Sequence, residues 1–235
     1  MQIDTLERII PGDVDQETLS IHLERYRFAS NYLIAGRILD IACGVGYGAN
    51  ELVKMRESDI SSIIAVDLSL PAIEYARKKY RHPKISFVHA DAMTFQTGEL
   101  FDSIISLETI EHLRDPAQFV QRLRGMLSEN GVLIASVPVT PSIDVNPYHV
   151  TDFTADSFRK LFEAEDLKEM DSLLQSQPYH PFKVLQGKSL RTSELRPGLV
   201  GYYVHHPAAF VKRMVSTVRD GFNNKYLTLV LCRQV

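Results

Sequence analysis

The chain has 235 residues, 45% of them hydrophobic and 23% charged, enough apolar material for one large α/β domain with a full core. A formal net charge of −3 gives no general attraction to polyanions, so nucleic acid is not an expected partner unless a local basic surface supplies the contact. Cys43 and Cys232 lie in apolar surroundings that fit reduced thiols, and neither a secretory leader nor a membrane-length apolar run occurs, so a soluble, cytoplasmic protein with no membrane partner is expected.

Leu19, Leu23, Tyr26 and Leu33 keep near-helical spacing, and Gly36 stands where a C-cap glycine would, which predicts a leading helix that ends there. Arg37 to Ile41 reads as a strand that breaks into glycines, and Tyr47 to Met55 resumes helical character. The unit repeats: Ser62 to Val66 is a strand, Leu70 to Tyr80 a helix, Ile85 to His89 a third strand and Phe101 to Leu107 a fourth. Pro116 opens a helix with Phe119, Val120, Leu123, Met126 and Leu127 on its apolar face. Asn130-Gly131 makes a turn, and Val132 to Val137 is a fifth strand. Alternating strands and helices imply a Rossmann-like α/β fold, a parallel sheet with right-handed crossovers and helices on both faces.

After Pro138 the regularity fades. Phe153 to Phe162 reads as a helix, Lys168 to Leu174 as a strand and Tyr226 to Cys232 as a closing strand. Residues 176–225, with Pro178, Pro181, Pro197 and Pro207, resist assignment and are expected to form an insertion or lid beside the site. The expected organisation is a single domain: residues 1–36 a helical cap, 37–138 a ligand-binding core, and 139–235 the acceptor side.

In an open parallel sheet, ligands bind beyond the carboxyl ends of the strands, so the loops there are where chemistry is sought. Ala42-Cys43-Gly44-Val45-Gly46-Tyr47-Gly48 follows the first strand, and its glycines let the backbone approach a ligand closely. Gly44, Gly46 and Ala49 also satisfy a dinucleotide pattern, with Asp67 at the distance of a ribose-binding acid, so a nicotinamide oxidoreductase is one reading of this loop. Asp40, two residues before the loop, would repel a pyrophosphate and suits a cationic sulfonium. Asp91, after the third strand, can accept a hydrogen bond from an adenine amine. An aspartate after a strand, read alone, is more often a helix cap than a ligand, and three such acids beside a glycine loop reverse that balance.

Taken together, Ile38-Leu39-Asp40-Ile41-Ala42-Cys43-Gly44-Val45-Gly46, Val66-Asp67, Asp91-Ala92 and Asn130-Gly131 resemble the motifs of class I S-adenosylmethionine-dependent methyltransferases, over roughly Leu19 to Pro138. Ala42 departs from the glycine that many members carry. The resemblance implies that S-adenosylmethionine is held by Tyr26, Asp40, Ala42, Gly44, Gly46, Asp67, Leu68, Asp91, Ala92 and Leu107.

If the segment after the fourth strand is helical, Glu108, Glu111 and His112 share one face, where with His149 they could bind Mg²⁺ or Mn²⁺. This Glu-x-x-Glu-His pattern resembles metal-assisted O-methyltransferases, including ubiquinone-type enzymes and small-RNA 2′-O-methyltransferases. Without a metal, His112 or His149 would be the general base, oriented by Glu108 or Glu111. Glu7-Arg8-Ile9-Ile10-Pro11-Gly12, His22-Leu23-Glu24-Arg25-Tyr26 and Asn146-Pro147-Tyr148-His149 resemble methyltransferases of polysaccharide and natural-product pathways, which implies a small-molecule hydroxyl acceptor such as a sugar. The rival readings are the oxidoreductase, an RNA 2′-O-methyltransferase and a non-catalytic cofactor-binding protein, and a homodimer stays open. The basic run Arg77 to His82 reads as a solvated helix end favoured by the macrodipole.

Overall fold

In a computed structural model, the structure describes residues 10–12, 16–179 and 198–233. The elements follow in chain order: α1 (Gln16–Ser30), β1 (Gly36–Ile41), α2 (Tyr47–Arg56), β2 (Ile60–Asp67), α3 (Leu70–Lys79), β3 (Ile85–His89), β4 (Phe101–Leu107), a 3₁₀ turn (Ile110–His112) and α4 (Pro116–Met126). Then come β5 (Leu127–Pro138), α5 (Ala155–Glu163), β6 (Leu167–Pro178), α6 (Leu199–His205), α7 (Pro207–Asp220) and β7 (Asn223–Arg233). The seven strands form one sheet in the order β3-β2-β1-β4-β5-β7-β6. β1 to β5 are parallel to one another, and β7 runs antiparallel to both β5 and β6.

Alternation along the strands builds two cores, because successive side chains of a strand point to opposite faces. Leu39, Ile104 and Leu133 face α4 and α5, where Phe119, Leu123, Phe158 and Phe162 are fully buried. Ile38, Ile105 and Ile134 face the other way, onto Tyr26, Leu52 and Ile73 of α1, α2 and α3. Helices therefore cover both faces, as the strand–helix alternation predicts. Side-chain caps set several helix starts: Ser69 accepts from Ala72 N, Asp115 from Gln118 N ahead of Pro116, and Thr154 and Ser157 form a reciprocal capping box. Among the described residues, no helix is long and apolar enough to cross a membrane.

Two expectations are corrected. Gly36 is not a helix cap: α1 ends at Ser30 in a tight turn, with Asn31 N donating to Phe28 O and Tyr32 N to Ala29 O, and Gly36 opens β1 at φ 138°. A side chain there would collide with the Asp102 carboxylate, since an added Cβ would sit 2.0 Å from Oδ2. Asn130-Gly131 lies inside β5 rather than before it. The register steps from Phe101↔Leu127 to Ser103↔Val132, so residues 128–131 bulge opposite Asp102 alone. The stretch 176–225, which the sequence pattern leaves unassigned, is regular at both ends, with β6 running on to Pro178 and α6 and α7 leading into β7. Its middle, with Pro181 and Pro197, lies outside the described residues, as do residues 7–9 of the Glu7–Gly12 segment.

Candidate active site

The strand order turns back between β1 and β4, so the carboxyl ends of these two strands flank the switch point where ligands of such sheets sit. Asp40 occupies the end of β1, paired across to Ala65 and Ile105, and is 1% exposed. Burial pushes its carboxyl up to about 7; the Tyr26 hydroxyl, 3.3 Å from Oδ1, opposes that rise and the Asp67 charge adds to it. Tyr26 reaches this position from α1, and its ring passes over α2 where only a glycine fits: a Cβ on Gly48 would lie 1.9 Å from Tyr26 Cζ.

The loop itself is locked from its neighbours. Cys43 N donates to Val66 O at 2.8 Å and Gly44 N to Asp67 Oδ2 at 2.9 Å, while Asp67 Oδ1 accepts from Ser69 N at 2.8 Å. Asp67, the last residue of β2, thus ties the glycine loop to the start of α3, and a carboxylate retains acceptor sites beyond these two. Gly44 and Gly46 take positive φ, and so does Ala42 at φ 62°, a conformation that costs a non-glycine residue about 1 kcal/mol.

Asp91 stands exposed after β3, with one carboxylate oxygen accepting from Met93 N at 2.8 Å. Ala92 beside it is half-buried, and Leu68, 64% exposed, offers its apolar side chain from the next loop. Leu107 closes β4, half-buried. Every residue expected to hold the cofactor lies on α1, on the glycine loop or on the carboxyl side of β1 to β4.

The acids after β4 separate. Glu108 is not part of a helix: it stands at φ 52°, and the 3₁₀ turn begins only at Ile110. Its carboxylate accepts from Ser136 Oγ at 2.8 Å and lies 3.7 Å from Arg25 Nη1. Glu111, His112 and His149 do come together, with donor atoms all within 4.8 Å of one another. The shared helical face expected for Glu108, Glu111 and His112 is therefore corrected, because the left-handed backbone at Glu108 turns its side chain toward β5 and α1. Glu111 is 1% exposed, and its carbonyl accepts from Val150 N and Thr151 N, which docks the 3₁₀ turn against the loop carrying His149. The two imidazoles meet edge to face at 4.7 Å, and His112 Nδ1 is 3.3 Å from Tyr148 O. A proton on Nδ1 suits that carbonyl and leaves Nε2 as the lone-pair nitrogen. Burial first and His112 second pull the His149 imidazole down to about 3, so it is neutral at physiological pH.

Other residues that shape the site carry no motif. Arg25 is fully buried, donates from Nε to Gln175 Oε1 at 2.8 Å and stacks over the Tyr226 ring at 4.5 Å. It thereby ties α1 to β6 and β7 beside Glu108. Asp144, 3% exposed, accepts from Arg213 of α7 at 2.6 and 2.8 Å and from the Tyr203 hydroxyl of α6 at 2.6 Å. The hairpin of α6 and α7 is thus pinned to the loop after β5. Neither Arg25–Glu108 nor Asp144–Arg213 has a spacing that sequence patterns can read.

Residues 39–135 match the family described as "Methyltransferase domain". The chain is 28% identical over 165 residues to a probable S-adenosylmethionine-dependent methyltransferase of Mycobacterium tuberculosis, a match covering 67% of this chain and 58% of that protein. The chain therefore spans less than two thirds of this curated relative. It is also 30% identical over 105 residues to the mitochondrial ubiquinone biosynthesis O-methyltransferase of Schizosaccharomyces pombe, covering 43% and 37% of the two chains. A crystal structure of a putative methyltransferase from Bacillus halodurans superposes with a TM-score of 0.70 at 16% identity, over 92% of this chain and 100% of that one. With Asp40 and its glycine loop at the switch point, residues 39–135 carry a methyltransferase domain, similar to S-adenosylmethionine-dependent relatives and built on the fold of class I methyltransferases.

Proposed function

We propose that the chain transfers the methyl group of S-adenosylmethionine to a hydroxyl oxygen of a small molecule, such as a sugar, at a site where Glu111, His112 and His149 hold a divalent cation, Mn²⁺ or Mg²⁺. The observation that carries this reading is the convergence of one buried carboxylate and two imidazoles within 4.8 Å, beside the carboxyl end of β4. The donor set fits such an ion: His149 is neutral, and its buried Nδ1 has no hydrogen-bond partner among the described residues. Oxygen as the acceptor atom is supported by the partial likeness to the ubiquinone O-methyltransferase, and the sugar by the resemblance of the His22–Tyr26 and Asn146–His149 segments.

In this reaction the acceptor oxygen attacks the sulfonium methyl carbon. The oxygen–carbon bond forms as the carbon–sulfur bond breaks, its electron pair stays on sulfur as S-adenosylhomocysteine leaves, and the hydroxyl proton passes to water, or to His112 Nε2 when no cation is held there. A bound cation would lower the pKa of the hydroxyl and fix its direction of approach. Asp40 and the glycine loop hold the donor, and Glu108, Ser136 and Arg25 brace the floor between donor and acceptor.

Two Glu→Gln variants test the assignment. Glu111→Gln should weaken Mn²⁺ binding by at least about tenfold in calorimetry, whereas Glu108→Gln should leave it unchanged. Turnover on hydroxyl acceptors should cease in EDTA and return with Mn²⁺. Full turnover in chelator would exclude the metal, and S-adenosylhomocysteine formation only with amine or carbon acceptors would exclude the oxygen.

A further inference from the structure

A helix lying on a globular body turns its apolar arc inward and its polar arc to water. α7 does the reverse. Ser216, at the middle of its polar arc, is 6% exposed, and on that side Arg213 pairs with Asp144, Lys212 with Asp152, and Asp220 with Lys225. The opposite arc, Phe210, Val211, Met214, Val215 and Val218, faces solvent, with Val215 61% and Val218 85% exposed. Val204 of α6, 74% exposed, continues the surface.

Side chains of this size and exposure, with Val200 and Phe222 at the margins, present on the order of 700–800 Å² of apolar area. That exceeds the largest patch on an ordinary monomer, roughly 300–600 Å², and matches the share of about 800 Å² that each partner brings to a stable interface. We propose that this face is the contact between two copies of the chain, paired about a two-fold axis with α7 against α7.

The charges select a second copy over other occupants. A helix that lies in a lipid surface keeps lysines and arginines beside its apolar arc, free to meet anionic headgroups. Here Lys212, Arg213, Arg219 and Lys225 are each paired with an aspartate of the same chain, and the chain carries a net charge of −3. A charged partner helix would find no complementary charge in the arc. An uncharged stripe, by contrast, meets its own image without repulsion, as an isologous contact requires.

Sedimentation equilibrium of the full chain tests this. The expected species is twice the 26.6 kDa chain mass. The double variant Val211→Glu/Val218→Glu should weaken self-association by about a hundredfold or more, because it buries charge at the centre of the contact. An unchanged circular dichroism spectrum and S-adenosylmethionine affinity would show that the variant is folded. Leu100→Glu, at an exposed apolar position of another loop, should leave the dimer intact. A wild-type chain that stays monomeric at every attainable concentration overturns the proposal, whether or not it then binds anionic phospholipid vesicles. A dimer that survives in the double variant overturns it equally, by placing the contact elsewhere.

Discussion

The Tyr26 hydroxyl lies 3.3 Å from Asp40 Oδ1 and 3.4 Å from Oδ2, so a residue of the first helix is the hydrogen-bond donor to the buried acid at the end of the first strand. Burial raises both groups: Asp40 to about 7, and the Tyr26 phenol well above its ordinary range. The carboxyl end of β1 therefore holds an acid poised to change charge near neutrality, with Asp67 and Tyr47 as its other titratable neighbours.

The first prediction follows from that acid. An unfolded aspartate titrates near 3.9, so between about pH 4 and 7 the folded protein binds the extra proton and its stability falls as pH rises through that window. A cationic donor beside Asp40 favours the carboxylate, so binding releases a proton below pH 7. Calorimetry should find S-adenosylmethionine bound about tenfold more weakly at pH 6 than at pH 8. Asp40→Asn should flatten the profile at the weak end. A slope that survives in Asp40→Asn would assign the proton to another group.

The second prediction concerns Gly48. Alanine is the better helix former by about 1 kcal/mol, so on propensity alone Gly48→Ala would stabilise α2. The added Cβ would overlap the Tyr26 ring, which is buried beneath α1 and cannot swing aside freely. Overpacking of this kind costs about 1–3 kcal/mol. The expected result is a lower thermal midpoint together with weaker S-adenosylmethionine binding, because the displaced ring is the one that contacts Asp40. Gly98→Ala, where nothing lies within 4 Å, is the control. A stabilised Gly48→Ala variant with unchanged affinity would show that Tyr26 moves without consequence.

Much of this half of the molecule is written in local pattern. Short apolar runs broken by glycine and followed by helical spacing place β1 to β5 and their helices within a few residues, and Asp40, Asp67 and Asp91 fall at or just after strand ends because the pattern itself marks those ends. Gly36 was legible as a required glycine but not as a strand start, since what requires it is the carboxylate of Asp102, far along the chain. Glu108 looked like a helical partner of Glu111, and only its left-handed backbone separates them. The outward face of α7 was illegible for a different reason. An amphipathic pattern fixes which side of a helix is apolar, and it cannot say that ion pairs to Asp144 and Asp152 will turn the polar side inward.

That inversion carries the third prediction. The Arg213 side chain is 12% exposed, and it grips a carboxylate, Asp144, that is 3% exposed. It also donates to Pro141 O at 2.5 Å, so one guanidinium joins α7 to the loop after β5. Breaking a buried pair by removing one partner leaves a charge in a poorly solvated place, at a cost of about 3–5 kcal/mol. Arg213→Met should therefore lose on the order of 3 kcal/mol in denaturant unfolding, with the hairpin of α6 and α7 becoming the first site of limited proteolysis. Adding Asp144→Asn should recover part of that loss, because the stranded charge goes with it, whereas two independent structural roles would make the losses add. A neutral Arg213→Met would mean that packing of Tyr203 and Phe210, whose rings meet at 5.5 Å, holds the hairpin without the ion pair.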